Sequence, residues 1–179
     1  DLLGKNKEQQ AVGVLSEVLN EDNDQTALGG YPLRRQAARS LGMIANPQAI
    51  APLIQSLNSN DLRLQEAAIL ALRSINDPVC VPSLIEYLHV TSLSKPMEAL
   101  IEALAAFEIW GVAEVIRDYL NDSSKRIQGA AGIYFYRMTR ERKYLATINS
   151  NLSDQNAFLR QSAAFDLAQC HDATLSENI

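Results

Sequence analysis

Apolar residues along this 179-residue chain recur at i, i+4, i+8 and i+11, in blocks separated by polar turns. In one block they are Leu33, Ala37, Leu41 and Ile44; in the next, Leu64, Ala68, Leu72 and Ile75; further on, Ile127, Ala131, Phe135 and Met138. That spacing lays one stripe along one face of an α-helix. Each block leads into a short turn, such as ANPQAIAP or NDPVCVP, and then into a second amphipathic run of the form L-I-x-x-x-L. Proline is cheap in these turns, and at Pro32 and Pro96 where first helices open, because the first helical turn has no use for the missing N–H.

The blocks are copies of one another. A shift of 31 residues lays Leu33 on Leu64, Leu41 on Leu72, Pro47 on Pro78 and Leu53 on Leu84. A shift of 126 lays LRRQAARSLGMI on LRQSAAFDLAQC, and KPMEALIEALAAF is a looser copy. A lone pair of amphipathic helices cannot bury both stripes, but stacked pairs can. The pattern predicts an all-α fold, an α–α superhelix or HEAT-like solenoid of about four to five two-helix repeats in one domain over 1–179. The repeats fall at 31–58, 62–90, 95–121 and 125–152, with partial ones at 1–20 and 157–179. Residues 2–19 read as the tail of a first helix (Leu3-Gly4 matching Leu41-Gly42) followed by a second helix through Val14, Leu15, Val18 and Leu19. At the other end, CHDATLSENI offers no second helix. Solenoids need polar caps, so these ends, and a start without Met, predict a longer parent protein or a covering partner.

Composition narrows the function classes. Apolar residues at 47 %, with only 8 Gly and 6 Pro, exclude disordered and collagen-like chains. A net charge of −5 argues against a nucleic-acid partner. No apolar run approaches 18 residues and no signal peptide is present, so a soluble, cytoplasmic protein without membrane insertion is expected. Cys80 and Cys170 lack any CxxC or His-ligand spacing and read as small buried residues, with no metal site. GxGxxG, Walker, HExxH and GxSxG motifs are absent, and no catalytic residue is identified. His89 closes a second helix, where a cation suits the dipole, and His171 lies in the terminal tail.

The residues left over from the repeat are the candidates for binding. Arg34 and Arg160 share one slot in the first turn of their helices and read as a structural ladder. Arg35 and Arg39 have no counterparts; Glu66 and Leu70 fill their slots in the next repeat. Tyr31, between Gly30 and Pro32, is also unique, and the preceding loop, Asn20 to Gly30, is some seven residues longer than its counterparts. Long loops of this kind lie on working faces. In GIYFYRM, Phe135 fills a core slot while Tyr134 and Tyr136 are expected to face outward, near Arg137, Arg140 and Arg142. Exposed tyrosines beside arginines suit a planar anionic ligand or a partner protein, or form a solvated helix end. Trp110 is expected to plug the turn of the loose repeat.

Four blocks carry a resemblance. LGGYPLRRQAARSLG resembles the GGYPLRRxAAxxLG segment of the E subunits of E/F-type phycobilin lyases, helical-repeat proteins of cyanobacteria. KPMEALIEALAAF, RIQGAAGIYFYRMTRERKYL and FLRQSAAFDL resemble three further segments of that family, in the same order, over about residues 28 to 167. The resemblance implies a subunit that, with an F-type partner, attaches an open-chain tetrapyrrole (phycocyanobilin or phycoerythrobilin) to a cysteine of a phycobiliprotein α subunit. It implies a bilin substrate with no tightly bound cofactor, and a cyanobacterial cytosol or plastid stroma. A bilin offers two propionates for arginine, ring nitrogens for a carboxylate and an apolar plane for aromatics. On that basis Tyr31, Arg34, Arg35 and Arg39 become candidates for the bilin or acceptor, with Tyr134, Tyr136 and, more weakly, Asp166. The family's Tyr-Tyr-Ala-Ala-Trp-Trp-Leu-Gly run is reduced here to DLLGK, and the segment before KPMEA to HVTSLSK. A non-catalytic HEAT-repeat adaptor in phycobilisome assembly or degradation, or a general repeat scaffold, remains open.

Overall fold

The computed structural model describes residues 2–21, 31–91, 94–168 and 170, with the side chains of 2–7, 94 and 95 excepted. The loop over 22–30, including Gly29 and Gly30, and the tail carrying His171 lie outside the described residues. α1 is Leu2–Asn20. First helices of the repeats are α2 (Pro32–Ile44), α4 (Leu62–Ile75), α6 (Ser94–Ala106), α8 (Lys125–Thr139) and α10 (Ala157–Ala168). Second helices are α3 (Ile50–Ser56), α5 (Val81–Val90), α7 (Ala113–Arg117) and α9 (Ala146–Leu152). No strand occurs among the described residues.

Recurrent local chemistry sets where these helices stop. Past the first helices, Ala45, Asn76, Glu108 and Arg140 adopt φ of 55°, 54°, 48° and 61°. This left-handed residue turns the chain, and in three of the four its N–H satisfies an orphan carbonyl: Ala45 donates to Leu41 O at 2.9 Å, Asn76 to Leu72 O at 3.1 Å and Arg140 to Tyr136 O at 2.7 Å. Only Asn76 has a side chain that tolerates this conformation well; the others cost about 1 kcal/mol each. The next residue starts the return. Asn46 Oδ1 accepts from the Gln48 N–H and Asp77 Oδ1 from the Val79 N–H, opening the 3₁₀ turns Pro47–Ala49 and Pro78–Cys80.

First-helix starts carry a second recurrent device. Gln65 Nε2 donates to Ser59 O at 2.7 Å, Gln128 Nε2 to Asp122 O at 2.5 Å and Arg160 Nη1 to Asp154 O at 2.8 Å. In each case a side chain in the first turn grips the carbonyl six residues earlier, pinning the loop to the helix. Arg34 occupies this same slot in α2.

Two compact units divide the chain, 1–103 and 104–179. In the first, α2 packs between α1 and α4, and α3 lies against α1 and α4. Its core is aliphatic: Leu19, Ala38, Leu41, Leu53, Leu64, Ala68, Leu72 and Leu84 are fully buried. In the second unit, α8, α9 and α10 pack on one another around Ile133, Tyr136, Leu145, Ile148, Ala163 and Leu167.

Three expectations change. Residues 2–20 form one continuous helix, with no turn after Gly4, and no proline interrupts it there. Leu33, aligned with the buried Leu64, is 61 % exposed, so α2 starts its buried stripe one turn later, at Ala37. α6 begins at Ser94, two residues before Pro96, which is compatible with a first-turn proline.

A candidate ligand-binding groove

The corner after Tyr31 is organised by a residue that the sequence pattern did not single out. Asp61 caps α4: its Oδ1 accepts from the Arg63 N–H at 3.0 Å and the Leu64 N–H at 3.3 Å. Its Oδ2 accepts from the Tyr31 N–H at 2.9 Å and from Arg35 Nε at 2.6 Å. One carboxylate thus binds the starts of α2 and α4 together. The Asp61 side chain is 3 % exposed and that of Arg35 is 21 % exposed. Burial pushes the Asp61 pKa up, but hydrogen bonds from Arg35, Tyr31 and Arg63, with the charge of Arg35, outweigh it and hold the carboxyl below its ordinary value. Arg34 lies with its guanidinium 4.7 Å from the centre of the Tyr31 ring.

Downstream of this clamp, α2 and α4 run in close contact. A Cβ on Gly42 would lie 2.9 Å from Ala71 Cα, so only glycine permits the approach. The same two helices line a groove of about 690 Å³. Its walls are Arg39 and Met43 of α2 and Leu62, Arg63, Glu66 and Leu70 of α4. Met43 is 77 % exposed, while Leu62 and Leu70 are near 40 %, at 39 % and 41 %. Neither Arg39 nor Arg63 forms a side-chain hydrogen bond or ion pair with another described residue. The groove therefore combines apolar walls, two arginines without a partner among the described residues, and one carboxylate.

The candidates divide accordingly. Tyr31, Arg34 and Arg35 gather around the start of α2, and Arg39 lies one turn along, in the groove. Arg35, unmatched in the repeat, has a structural partner in Asp61. Tyr134 and Tyr136, expected to face outward, are buried in the second unit, at 0 % and 2 % exposure. The reason is that α8 is enclosed by several neighbours. The Tyr134 hydroxyl donates to Ile109 O at 2.7 Å, Phe135 stacks on Tyr144 at 5.1 Å, and Tyr136 joins the core with Leu145 and Ile148. Successive residues differ by about 100° around a helix, so three together fill an arc that only an enclosed helix can bury. Asp166 is half-buried on α10 in the same unit. Trp110, expected as a plug, is 61 % exposed on the 3₁₀ turn Trp110–Val112.

Glu66, Leu62, Leu70, Arg63 and Met43 were missed. Their signal was present as a second apolar set, Leu62 and Leu70, outside the core stripe Leu64-Ala68-Leu72. Both cysteines are buried, and the Cys80 thiol is pushed up to about 11 by burial and the nearby Asp77 charge, so it is a weak nucleophile at neutral pH. No cluster of potential metal ligands and no helix long and apolar enough to cross a membrane occurs among the described residues.

Helical pairs with left-handed stops define a helical-repeat protein, and HEAT repeats are matched over residues 31–105. The chain is 43 % identical to the bilin biosynthesis protein PecE of Mastigocladus laminosus over 99 % of its length and 68 % of that protein's. It is 36 % identical to the phycocyanobilin lyase subunit alpha of Nostoc sp. over 90 % of its length and 62 % of the relative's. It therefore belongs to the family of these bilin lyase E, or alpha, subunits. Among solved structures, it matches a chain in the complex of CpcE and CpcF of phycocyanin lyase from Nostoc sp. PCC7120. The TM-score is 0.84 at 33 % identity, covering 95 % of this chain and 68 % of that one. Human deoxyhypusine hydroxylase, with a TM-score of 0.66 at 18 % identity, shares the fold alone. The chain spans about two thirds of the length of the curated relatives it matches.

Proposed function

We propose that this chain acts as the E-type subunit of a phycobilin lyase in the cyanobacterial cytosol or plastid stroma. It binds an open-chain tetrapyrrole, phycocyanobilin or phycoerythrobilin, as substrate and, with an F-type partner, delivers it to a phycobiliprotein α subunit. The observation that carries this reading is the identity with PecE through nearly the whole chain, joined to the match with a chain of the CpcE–CpcF complex.

The chemistry asks little of the chain itself. The acceptor cysteine thiol adds to the ethylidene double bond of bilin ring A. A carbon–sulfur bond forms, the double bond is consumed, the thiol proton is transferred to the bilin, and no oxidant is required. The nucleophile belongs to the acceptor, so the subunit needs no triad of its own. Its part is to hold the bilin in an extended, protonated form with ring A presented to the thiol, an effect of positioning and electrostatics.

The test mixes the chain with an F-type subunit, free bilin and an apo-phycobiliprotein α subunit, then reads fluorescence on a denaturing gel. A fluorescent band that needs both subunits is the expected result. Absence of the band, with no change in bilin absorbance and both subunits folded, overturns the reading in favour of a protein-binding scaffold.

A further inference from the structure

The groove between α2 and α4 has features that packing leaves unused. Outer faces of stacked helices are ordinarily polar, yet Met43, Leu62 and Leu70 stand exposed here. They flank two arginines with no partner among the described residues, on a protein whose net charge is −5. Several other arginines are committed: Arg35 to Asp61, Arg73 to Glu102, Arg160 to the carbonyls of Asp154 and Gln155. A cation pair over apolar walls suits an apolar ligand that carries carboxylates.

Resting on the bilin-handling reading, we infer that the α2–α4 groove is the seat of the tetrapyrrole. Arg39 and Arg63 receive its two propionates, Glu66 faces its pyrrole N–H groups, and Met43, Leu62 and Leu70 cover its plane. The volume of about 690 Å³ lies within the range of small-molecule sites, about 300–1,000 Å³. Each element of the ligand has a counterpart: two anions for two guanidiniums, ring donors for a carboxylate, a conjugated plane for aliphatic and thioether walls. The open side of the groove also has a purpose. A fully enclosed bilin could not present ring A to a thiol on another protein, whereas one held along an open groove remains reachable.

The Asp61 clamp is the positioning device for this seat. It fixes the starts of α2 and α4, hence the separation of Arg39 from Arg63, and keeps Arg35 out of the ligand's reach by pairing it. This accounts for the unusual entrance to α2: Tyr31 and Arg35 are held for the groove's geometry.

The experiment is an absorbance titration of free phycocyanobilin with the full chain, alone and mixed with an F-type subunit. The double variant Arg39→Glu/Arg63→Glu changes only surface side chains, and circular dichroism checks its fold. Arg117→Glu, at an exposed arginine on α7, serves as the control for charge reversal at a surface arginine outside the groove. Binding by the double variant is expected to weaken on the order of 10- to 100-fold, while the control stays at wild-type affinity. Glu66→Gln is expected to reduce the red shift of the bound bilin more than its affinity, because a carboxylate stabilises the protonated pyrroles. Equal binding by wild type and double variant overturns the groove assignment and leaves the lyase reading intact. No binding by the wild type, with or without the F-type subunit, removes both. If the double variant loses helicity, Arg39→Gln/Arg63→Gln replaces it, with the same two decisive outcomes.

Discussion

At the α2–α4 junction a buried carboxylate ties two helix starts together, whereas at the α8–α10 junction the corresponding pair is more open to water. Asp61 and Arg35 have side-chain exposures of 3 % and 21 %; Asp154 and Lys125, bonded at 2.5 Å, have 15 % and 52 %. The topological task is the same, since each pair links a first helix to the loop that opens the next first helix. The difference is in what the two junctions carry beyond it. At the first, small residues bring the helices into close contact at the floor of an open groove. At the second, Tyr136 stands at the repeat position of Gly42 and joins a core with Leu145, Ile148 and Leu167. A junction that must hold a fixed gap needs a rigid, desolvated clamp; one that is filled holds itself by packing.

The strongest break of this comparison is Asp61→Ala. It removes two helix-capping bonds, the Tyr31 contact and the Arg35 partner, and is expected to cost about 3 kcal/mol in urea unfolding. Asp154→Ala is expected to shift the urea midpoint far less. Equal shifts from the two would mean that burial does not distinguish the junctions.

Next in size are the glycines at the two helix contacts. A Cβ on Gly132 would lie 2.4 Å from Tyr144 O, against a carbonyl that cannot give way without moving the turn after α8. Gly132→Ala is expected to lower stability by about 2 kcal/mol. Gly42→Ala meets Ala71 at 2.9 Å, and its gain in helix propensity offsets part of the strain, leaving about 1 kcal/mol. Thermal unfolding of the two variants measures both, and Gly42→Ala is also expected to widen the groove.

Tyr134→Phe keeps the ring and deletes a buried hydroxyl bond, so a loss of about 1 kcal/mol is expected in the same assay. A large gain in solubility with no loss of stability would instead indicate an exposed tyrosine.

The smallest effect is in the acid limb. The Asp61 pKa is lower in the folded chain than its ordinary value. Its contribution is therefore present above that ordinary value and is lost as pH falls through the folded one. Asp61→Asn is expected to flatten the acid side of the stability–pH curve below about pH 4. Asp154 is lowered as well, first by its Lys125 bond, but Lys125 is half exposed, so added salt should weaken that pair's contribution more than that of Asp61.

Legibility in the sequence followed sequence distance. The period of 31, the first helices α2, α4 and α8 and the Pro turns could all be read because each depends on residues within a few positions of one another. The continuous α1 and the exposure of Leu33 could not, since periodicity shows a stripe without showing what covers it. Arg39 was marked by its lack of a counterpart and lies in the groove. Arg35 was marked for the same reason, yet its partner stands 26 residues away in the loop before α4. Tyr134 and Tyr136 were misjudged because three successive aromatic residues exceed a single helical face, and only the enclosure of α8 makes room for all three.

By itself, then, the sequence determined that this is an all-α chain of two-helix repeats, because amphipathic spacing and turn chemistry are local properties that survive without any partner. Which arginines are tied and which stand free, where two helices touch and where they part, was decided only in the tertiary structure. Those outcomes depend on contacts between residues far apart in the chain, whose desolvation and charge neutralisation have no expression in local pattern.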